Sequence, residues 1–124
     1  MHVLIIEETR DTTSGLFDYL ESKGHVVDTA GCGISSRHPA LVGQYDAIVF
    51  DVMLSETDGL ACCRRLREEG CEATPILVVS AHGSLDARIA SLEAGADDCI
   101  AQSMPLSECE SRLRVLFRMS SRSG

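Results

Sequence analysis

Acidic side chains follow two apolar runs of this 124-residue chain, at the points where buried strands should end. Residues 47–50 form an unbroken apolar run that stops at Asp51, and an earlier run at 2–6 stops at Glu7 and Glu8. Runs without polar alternation are typical of parallel strands that are covered on both faces. Because the carboxyl ends of parallel strands meet at one edge, where open α/β sheets bind ligands, these carboxylates predict a shared crevice.

Carboxylates held close together repel one another, so the crevice needs a cation or a shared proton. Oxygen ligands without sulfur or imidazole suit Mg²⁺, which takes few carboxylates and keeps several waters. A bound Mg²⁺ would also neutralise an incoming phosphoryl group, and an aspartate beside it could accept that group as an acyl phosphate. Metal-assisted transfer of a phosphoryl group to an aspartate is therefore one chemistry that such a crevice could perform.

The rest of the chain supplies alternating strands and helices that would position this crevice. We predict strands at 2–6, 25–29, 47–50, 75–79 and 98–101, and helices at 16–23, 35–42, 60–69, 85–94 and 106–117. The order βαβαβαβαβα implies a flavodoxin-like (βα)5 fold, a doubly wound parallel sheet with right-handed crossovers. The strand order expected of such a sheet is 2-1-3-4-5, with its switch point between the first and third strands.

Composition limits the possible functions. The net charge is −8, and all of the excess acid lies before residue 106, which argues against nucleic acid as a direct ligand. There is no apolar run of about 20 residues for a membrane span and no signal peptide at the N-terminus, so we expect a cytoplasmic protein. The six cysteines form no C-x-x-C pair and fall mostly in apolar patterns, which favours a reduced protein that uses them in its core.

Over about residues 2–118 the chain resembles the receiver domain of two-component response regulators. The motifs that carry the resemblance are IIEE at 5–8, YDAIVFDVML at 45–54 with DGL at 58–60, PILVVSA at 75–81 and LEAGADD at 92–98. The resemblance implies a signalling module rather than an enzyme, with a sensor histidine kinase as partner. It makes Asp51 the phosphoacceptor and Ser80 the switch hydroxyl. The Mg²⁺ ligands would be Glu7, Glu8, Asp51 and the backbone carbonyl of Met53.

Three positions depart from the family pattern. The second acid of the metal pair is Glu8 where an aspartate is usual, Gln102 stands where the family has a lysine, and Cys99 replaces an aromatic switch residue. The only lysine, Lys23, is expected at the end of the first helix, far from the crevice. Since a neutral amide supplies no charge to a phosphoryl group, we expect weakened phosphorylation or a weakened response to it.

A further set of charged residues resembles the dimer face of OmpR/PhoB-like receivers, formed by their fourth helix, fifth strand and fifth helix. By this resemblance, Arg88 would pair with Glu108 and Asp98 with Arg112 between two subunits. Exposed pairs of this kind contribute only about 0–1 kcal/mol each, so they would set register more than affinity. The full set is Arg88, Asp97, Asp98, Glu108, Arg112, Arg114 and Arg118.

The expected organisation is a receiver domain at 1–119, followed by a tail or the start of a linker at 120–124. Control of transcription would pass through a DNA-binding domain that these residues do not contain. Two alternatives stay open at this stage. The chain could be a receiver-like domain that dimerises without phosphorylation, or a flavodoxin-like cofactor-binding enzyme, although no Gly-rich phosphate loop follows the first strand.

Overall fold

A five-stranded parallel sheet forms the centre of the molecule. The computed structural model describes residues 1–7, 14–31, 44–52, 56–70, 73–81 and 83–123. The strands are β1 His2–Glu7, β2 Val26–Ala30, β3 Ala47–Val52, β4 Ile76–Ser80 and β5 Asp98–Ala101. All neighbours pair in parallel in the order β2-β1-β3-β4-β5. The predicted strands and their order are confirmed.

Helices cover both faces of the sheet. They are α1 Ser14–Ser22, α2 Glu56–Glu68, α3 Leu85–Glu93 and α4 Leu106–Ser123. The short helix predicted at 35–42 lies outside the described residues. The last helix is longer than expected, because α4 continues to Ser123 through residues that we predicted to be a polar tail. The predicted domain boundary at residue 119 therefore falls inside a helix, and it stays a prediction.

The sheet separates two apolar cores. On one face, side chains of β1, β3 and β4 pack with Cys62, Cys63 and Leu66 of α2. On the other face, the alternate side chains of the same strands pack with Leu16 and Leu20 of α1 and with Leu113 of α4. Because both faces are covered, the strands carry the unbroken apolar runs from which they were predicted.

The apolar stripe of α3 points away from the sheet. Leu85, Ile89 and Leu92 have the spacing of one helix face, and they are 72%, 46% and 46% exposed. The residues that α3 buries are the small Ala87 and Ser91. An amphipathic helix usually turns its apolar stripe toward the core, so this surface needs an explanation.

Two polar networks close the edge of the sheet where its strands begin. The Tyr45 hydroxyl donates to Asp28 at 2.8 Å, and burial together with this bond raises the pKa of Tyr45 to about 12. Next to it, His25 Nε2 lies 2.7 Å from the Glu110 carboxylate of α4, with both side chains almost fully buried. Arg114 approaches the same carboxylate at 3.2 Å. Residues 85 positions apart are thus joined by a hydrogen bond between nearly buried side chains.

Cysteines serve as core residues wherever the structure describes them in side-chain detail. Cys62, Cys63, Cys99 and Cys109 are buried and form no disulfide, which confirms the prediction for these four. Cys32 and Cys71 lie outside the described residues. None of the helices in the described ranges is long and apolar enough to cross a membrane.

Candidate functional site

The ends of β1, β3, β4 and β5 bring the predicted site positions to one edge of the sheet. Glu7 is the register partner of Asp51 on the neighbouring strand. On the next strand, Ser80 is the register partner of Val52, one residue beyond Asp51. Gln102 directly follows β5, and its N–H donates to the Ser80 carbonyl at 2.8 Å. Four of the predicted positions, contributed by four strands, are therefore neighbours.

Ser80 ends β4 as a buried polar residue, only 1% exposed. Its hydroxyl accepts a hydrogen bond from the Gly83 N–H at 3.4 Å, which ties it to the loop that leads into α3. Gly83 has φ +59, and a Cβ added there would lie 2.5 Å from the Cβ of Ala101 on β5. The loop therefore lies directly against β5, and the small residues at 83 and 101 make that approach possible. Spacing alone did not identify Gly83 as part of this arrangement.

The structure also describes Gln102 and Cys99, two of the positions that depart from the receiver pattern, and the chain's single lysine. Gln102 is exposed at the edge of the sheet where the strands end. Lys23 follows α1 and lies near the opposite edge, where β1 and β2 begin and the Val26 N–H donates to the Met1 carbonyl. The Lys23 ammonium lies over the Tyr19 ring, 5.5 Å from its centroid. Cys99 is buried and accepts a hydrogen bond from the Ser91 hydroxyl at 3.5 Å. The lysine of this chain is thus far from the candidate site, as predicted.

The donors expected to hold Mg²⁺ fit that ion in chemistry. Glu7 and Asp51 are carboxylate residues at paired positions of adjacent strands, and Mg²⁺ prefers such oxygen ligands. The other two predicted ligands, Glu8 and Met53, lie outside the described residues. Within the described ranges, no group of three or more His, Cys, Asp and Glu side chains is placed to hold a metal. The complete ligand set therefore stays a prediction.

Comparison with known proteins decides the family. The model of the response regulator receiver domain matches residues 3–114 of the chain. The chain belongs to this family. The receiver domain is a signalling rather than a catalytic domain, so the alternative of a flavodoxin-like enzyme is set aside.

Among curated relatives, the receiver is similar to the transcriptional regulatory proteins TcrA of Mycobacterium tuberculosis and CusR of Escherichia coli. TcrA is 39% identical over 118 residues, which are 95% of this chain and 46% of TcrA. CusR is 36% identical over 118 residues, 95% of this chain and 52% of CusR. The chain spans about half the length of the curated relatives it matches.

A solved receiver domain, that of the sensor histidine kinase PA1611 from Pseudomonas aeruginosa, shares the fold. The TM-score is 0.78 at 26% sequence identity, and the match covers 94% of this chain and 96% of that one. That crystal structure contains a magnesium ion coordinated in the active site cleft.

Four of the seven charged residues predicted for a dimer face already contact one another within the single receiver chain. Asp98 is contacted by Arg112 at 2.9 Å and by Arg88 at 3.7 Å. Arg112 also reaches Glu108 at 3.4 Å. The hydrogen bond and charge of Asp98 raise the pKa of Arg112. The predicted pairs between subunits would therefore have to replace pairs within each subunit.

Asp97 has a structural role that spacing did not reveal. One of its carboxylate oxygens accepts from the Ile76 N–H at 2.8 Å and from Arg67 at 2.9 Å. Arg67 belongs to the polar face that the sequence assigns to α2, but its guanidinium also donates to the carbonyls of Thr74 and Gly95. Both residues therefore hold the start of β4 and the turn after α3 together.

Replacing Gly83 by alanine should destabilise the receiver by about 1–3 kcal/mol, as overpacking usually does. The added methyl group would overlap the Ala101 Cβ. Urea unfolding measures the change. In an Ala101→Gly background the same substitution should cost less, because the overlap of the two Cβ atoms is gone. The left-handed backbone penalty of about 1–2 kcal/mol and the close approach to the Cα of residue 101, at 3.2 Å, remain. Equal costs in the two backgrounds would contradict the contact.

Proposed function

We propose that this receiver accepts a phosphoryl group on Asp51, with Mg²⁺ held by Glu7, Glu8, Asp51 and the Met53 carbonyl, and Ser80 as the switch hydroxyl. The partner would be a sensor histidine kinase, and the receiver itself would be cytoplasmic. The observation that carries the proposal is the register that makes Glu7 and Asp51 neighbours and puts Ser80 and Gln102 at the same edge. Mg²⁺ would supply positive charge where the carboxylates and the phosphoryl oxygens meet.

We further propose that the response to phosphorylation is weakened. Gln102 would face a phosphoryl group with a neutral amide, and charge-assisted hydrogen bonds are about twice as strong as neutral ones. Glu8 carries one methylene more than aspartate, and Mg²⁺ tolerates poor octahedral geometry badly. Cys99 is packed against Ser91 beneath α3, so no aromatic ring at this position can report the state of Ser80.

Intact mass spectrometry after incubation with Mg²⁺ and a small acyl phosphate tests the phosphoacceptor. The phosphoryl group passes from the donor to an Asp51 carboxylate oxygen, and the donor's carboxylate leaves. The wild type should gain the mass of one phosphoryl group, and a chelator or Asp51→Asn should abolish it. Asp18→Asn, an exposed aspartate on α1, is the matched control and should leave the adduct intact. An adduct that persists in Asp51→Asn would overturn the assignment.

A gain-of-function variant tests the missing counter-charge. Gln102→Lys should raise the phosphorylated fraction at steady state, because an ammonium can pair with the phosphoryl oxygens. Gln44→Lys makes the same change in charge at an exposed position just before β3 begins, at the opposite edge of the sheet. It should leave the fraction unchanged. Equal effects of the two variants would show that net charge, and not the site, is responsible.

For the output we propose a homodimer through α3, β5 and α4, which would bring together DNA-binding domains attached in the full-length regulator. The exposed stripe of Leu85, Ile89 and Leu92 on α3 supports this surface. On α4, Val115 and Met119 are also exposed, 40% and 61%. Charged residues of the predicted set accompany these apolar side chains on the same helices, as in a polar rim around an apolar patch.

The apolar side chains should therefore supply most of the dimer's stability. Ile89→Ser should weaken the dimer by more than tenfold, since burial of each such side chain contributes about 1.5–3 kcal/mol and a twofold axis uses it twice. Sedimentation across a concentration series measures the constant. Val26→Ser, an exposed valine on the edge strand β2, should leave it unchanged.

The same sedimentation series separates the two remaining hypotheses of function. A dimer that tightens with the phosphodonor in the wild type but not in Asp51→Asn supports phosphorylation control. A dimer of equal strength in both proteins, with no phosphoryl adduct, supports the phosphorylation-independent alternative, which the changes at Glu8, Cys99 and Gln102 favour.

A further inference from the structure

A small apolar cavity lies between the beginnings of α1 and α4, on the face of the sheet that these helices cover. Its volume is about 160 Å³. Four buried side chains form its walls: Leu16 of α1, Val79 of β4, Ile100 of β5 and Cys109 of α4. The cavity is next to the candidate site, because Val79 is the register partner of Asp51 and directly precedes Ser80.

Half-buried and exposed residues form the mouth of the cavity. Leu106, the first residue of α4, is 39% exposed, and Gly15 of α1 faces it without a side chain. A Cβ added to Gly15 would reach 4.0 Å from Leu106 Cδ1. The mouth therefore stays open because position 15 is a glycine, and one methyl group there would narrow it without a clash.

The chemistry of the lining limits what can enter. Among the residues that the structure describes, no charged side chain lines the cavity, and Gln102 is the only polar side chain there apart from the Cys109 thiol. The Met104 thioether adds a second sulfur to the lining. Sulfur atoms make favourable contacts with aromatic rings, and an apolar cavity of about 150 Å³ is large enough for benzene. A charged or strongly hydrated molecule would lose its water contacts without compensation.

We propose that this cavity binds one small uncharged aromatic molecule of about the size of benzene. The binding itself does not depend on the phosphoacceptor proposal, because the described lining includes none of Glu7, Asp51 and Ser80, and of the proposed site it shares only Gln102. An occupant would contact Val79 and Ile100, close to the ends of the two strands that lead to Ser80 and Gln102. A ligand here would be in direct contact with the strands of the candidate site.

Benzene is the probe for the test. Methyl resonances of Leu16, Val79 and Ile100 should shift in a saturable way as benzene is added, and the melting temperature should rise as expected for a ligand of the folded state. Met104→Phe, which adds volume to the lining, should abolish both effects. Met119→Phe makes the same change at an exposed site of α4 and should leave both effects unchanged.

Gly15→Ala provides a second variant if Met104→Phe fails to fold. Alanine favours the helix over glycine, so this variant should be at least as stable as the wild type and should bind benzene several-fold more weakly. The proposal is overturned if wild-type methyl groups do not shift up to the solubility limit of benzene. It is also overturned if the shifts persist unchanged in both Met104→Phe and Gly15→Ala.

Discussion

Replacing His25 by phenylalanine should lower the free energy of unfolding by about 1.5–3 kcal/mol, the range for a hydrogen bond to a charged group. Phenylalanine keeps the ring volume but removes the nitrogen that lies 2.7 Å from Glu110. The carboxylate would stay buried without this hydrogen bond, with the Arg114 guanidinium at 3.2 Å. Urea unfolding at pH 7 measures the loss.

A double variant distinguishes the cost of a buried carboxylate that has lost a hydrogen bond from the cost of a packing defect. In His25→Phe with Glu110→Leu no carboxylate is left buried, so the double variant should be more stable than His25→Phe alone. The half-exposed pair of Arg112 and Glu108 gives the control. Glu108→Gln should change stability by less than about 1 kcal/mol. A double variant less stable than the single one would show that the ring itself, and not the charge, matters.

The contact between His25 and Glu110 should make the stability of the receiver depend on pH. Burial opposes the charged form of Glu110, but the hydrogen bonds and charges of His25 and Arg114 outweigh it, and the pKa of Glu110 lies below its usual value. As the pH falls, Glu110 is therefore protonated in the unfolded chain before it is protonated in the folded chain. Its contribution to stability is present above about pH 4.3 and is lost as the pH falls through its folded pKa. Glu110→Gln should lose less stability than the wild type over that acid range.

Arg67→Met should destabilise the receiver by about 3 kcal/mol, because hydrogen bonds to a charged group contribute about 1.5–3 kcal/mol each and part of this guanidinium is exposed. The guanidinium donates to the Thr74 carbonyl at 2.6 Å, to the Gly95 carbonyl at 2.9 Å and to Asp97 at 2.9 Å. Methionine preserves the aliphatic stem, which packs near Gly95. Urea unfolding again gives the value.

Arg64→Met is the matched control for this prediction. Arg64 is exposed on the same helix and should tolerate the change within about 0.5 kcal/mol, as is usual for surface substitutions. Asp97→Asn offers a separate check, because it removes the ion pair with Arg67 but keeps an oxygen for the Ile76 N–H. It should cost less than Arg67→Met. If Arg67→Met and Arg64→Met had equal effects, the network would have no part in stability.

The strands and the edge of the sheet where they end were predictable from the sequence because local patterns determine them. An apolar run that stops at Asp51 or Ser80 shows where a buried strand ends, and parallel pairing then brings those ends together. The glycines at 24, 70 and 95 likewise end helices in the structure, each with a positive φ.

Features that depend on contacts distant in sequence could not be predicted. The spacing of Leu85, Ile89 and Leu92 indicates a helix, but periodicity does not say which side of a helix the sheet covers. Arg67 has the same residue type as the exposed Arg64, and only the position of the turn after α3 separates them. No local pattern links His25 to Glu110. The contact of Gly83 with Ala101 can be predicted only when the paths of both chain segments are known.

The pairing of Asp98 with Arg112 inside each receiver has a consequence for how association responds to ionic strength. If partners are exchanged on dimerisation, ion pairs within each subunit are lost as ion pairs between subunits form, so the effects of salt on the two sets largely cancel. What remains is the mutual repulsion of two chains that each carry a net charge of −8, and added salt weakens it. Self-association of this protein should therefore be favoured by salt, the reverse of an interface formed by opposite charges.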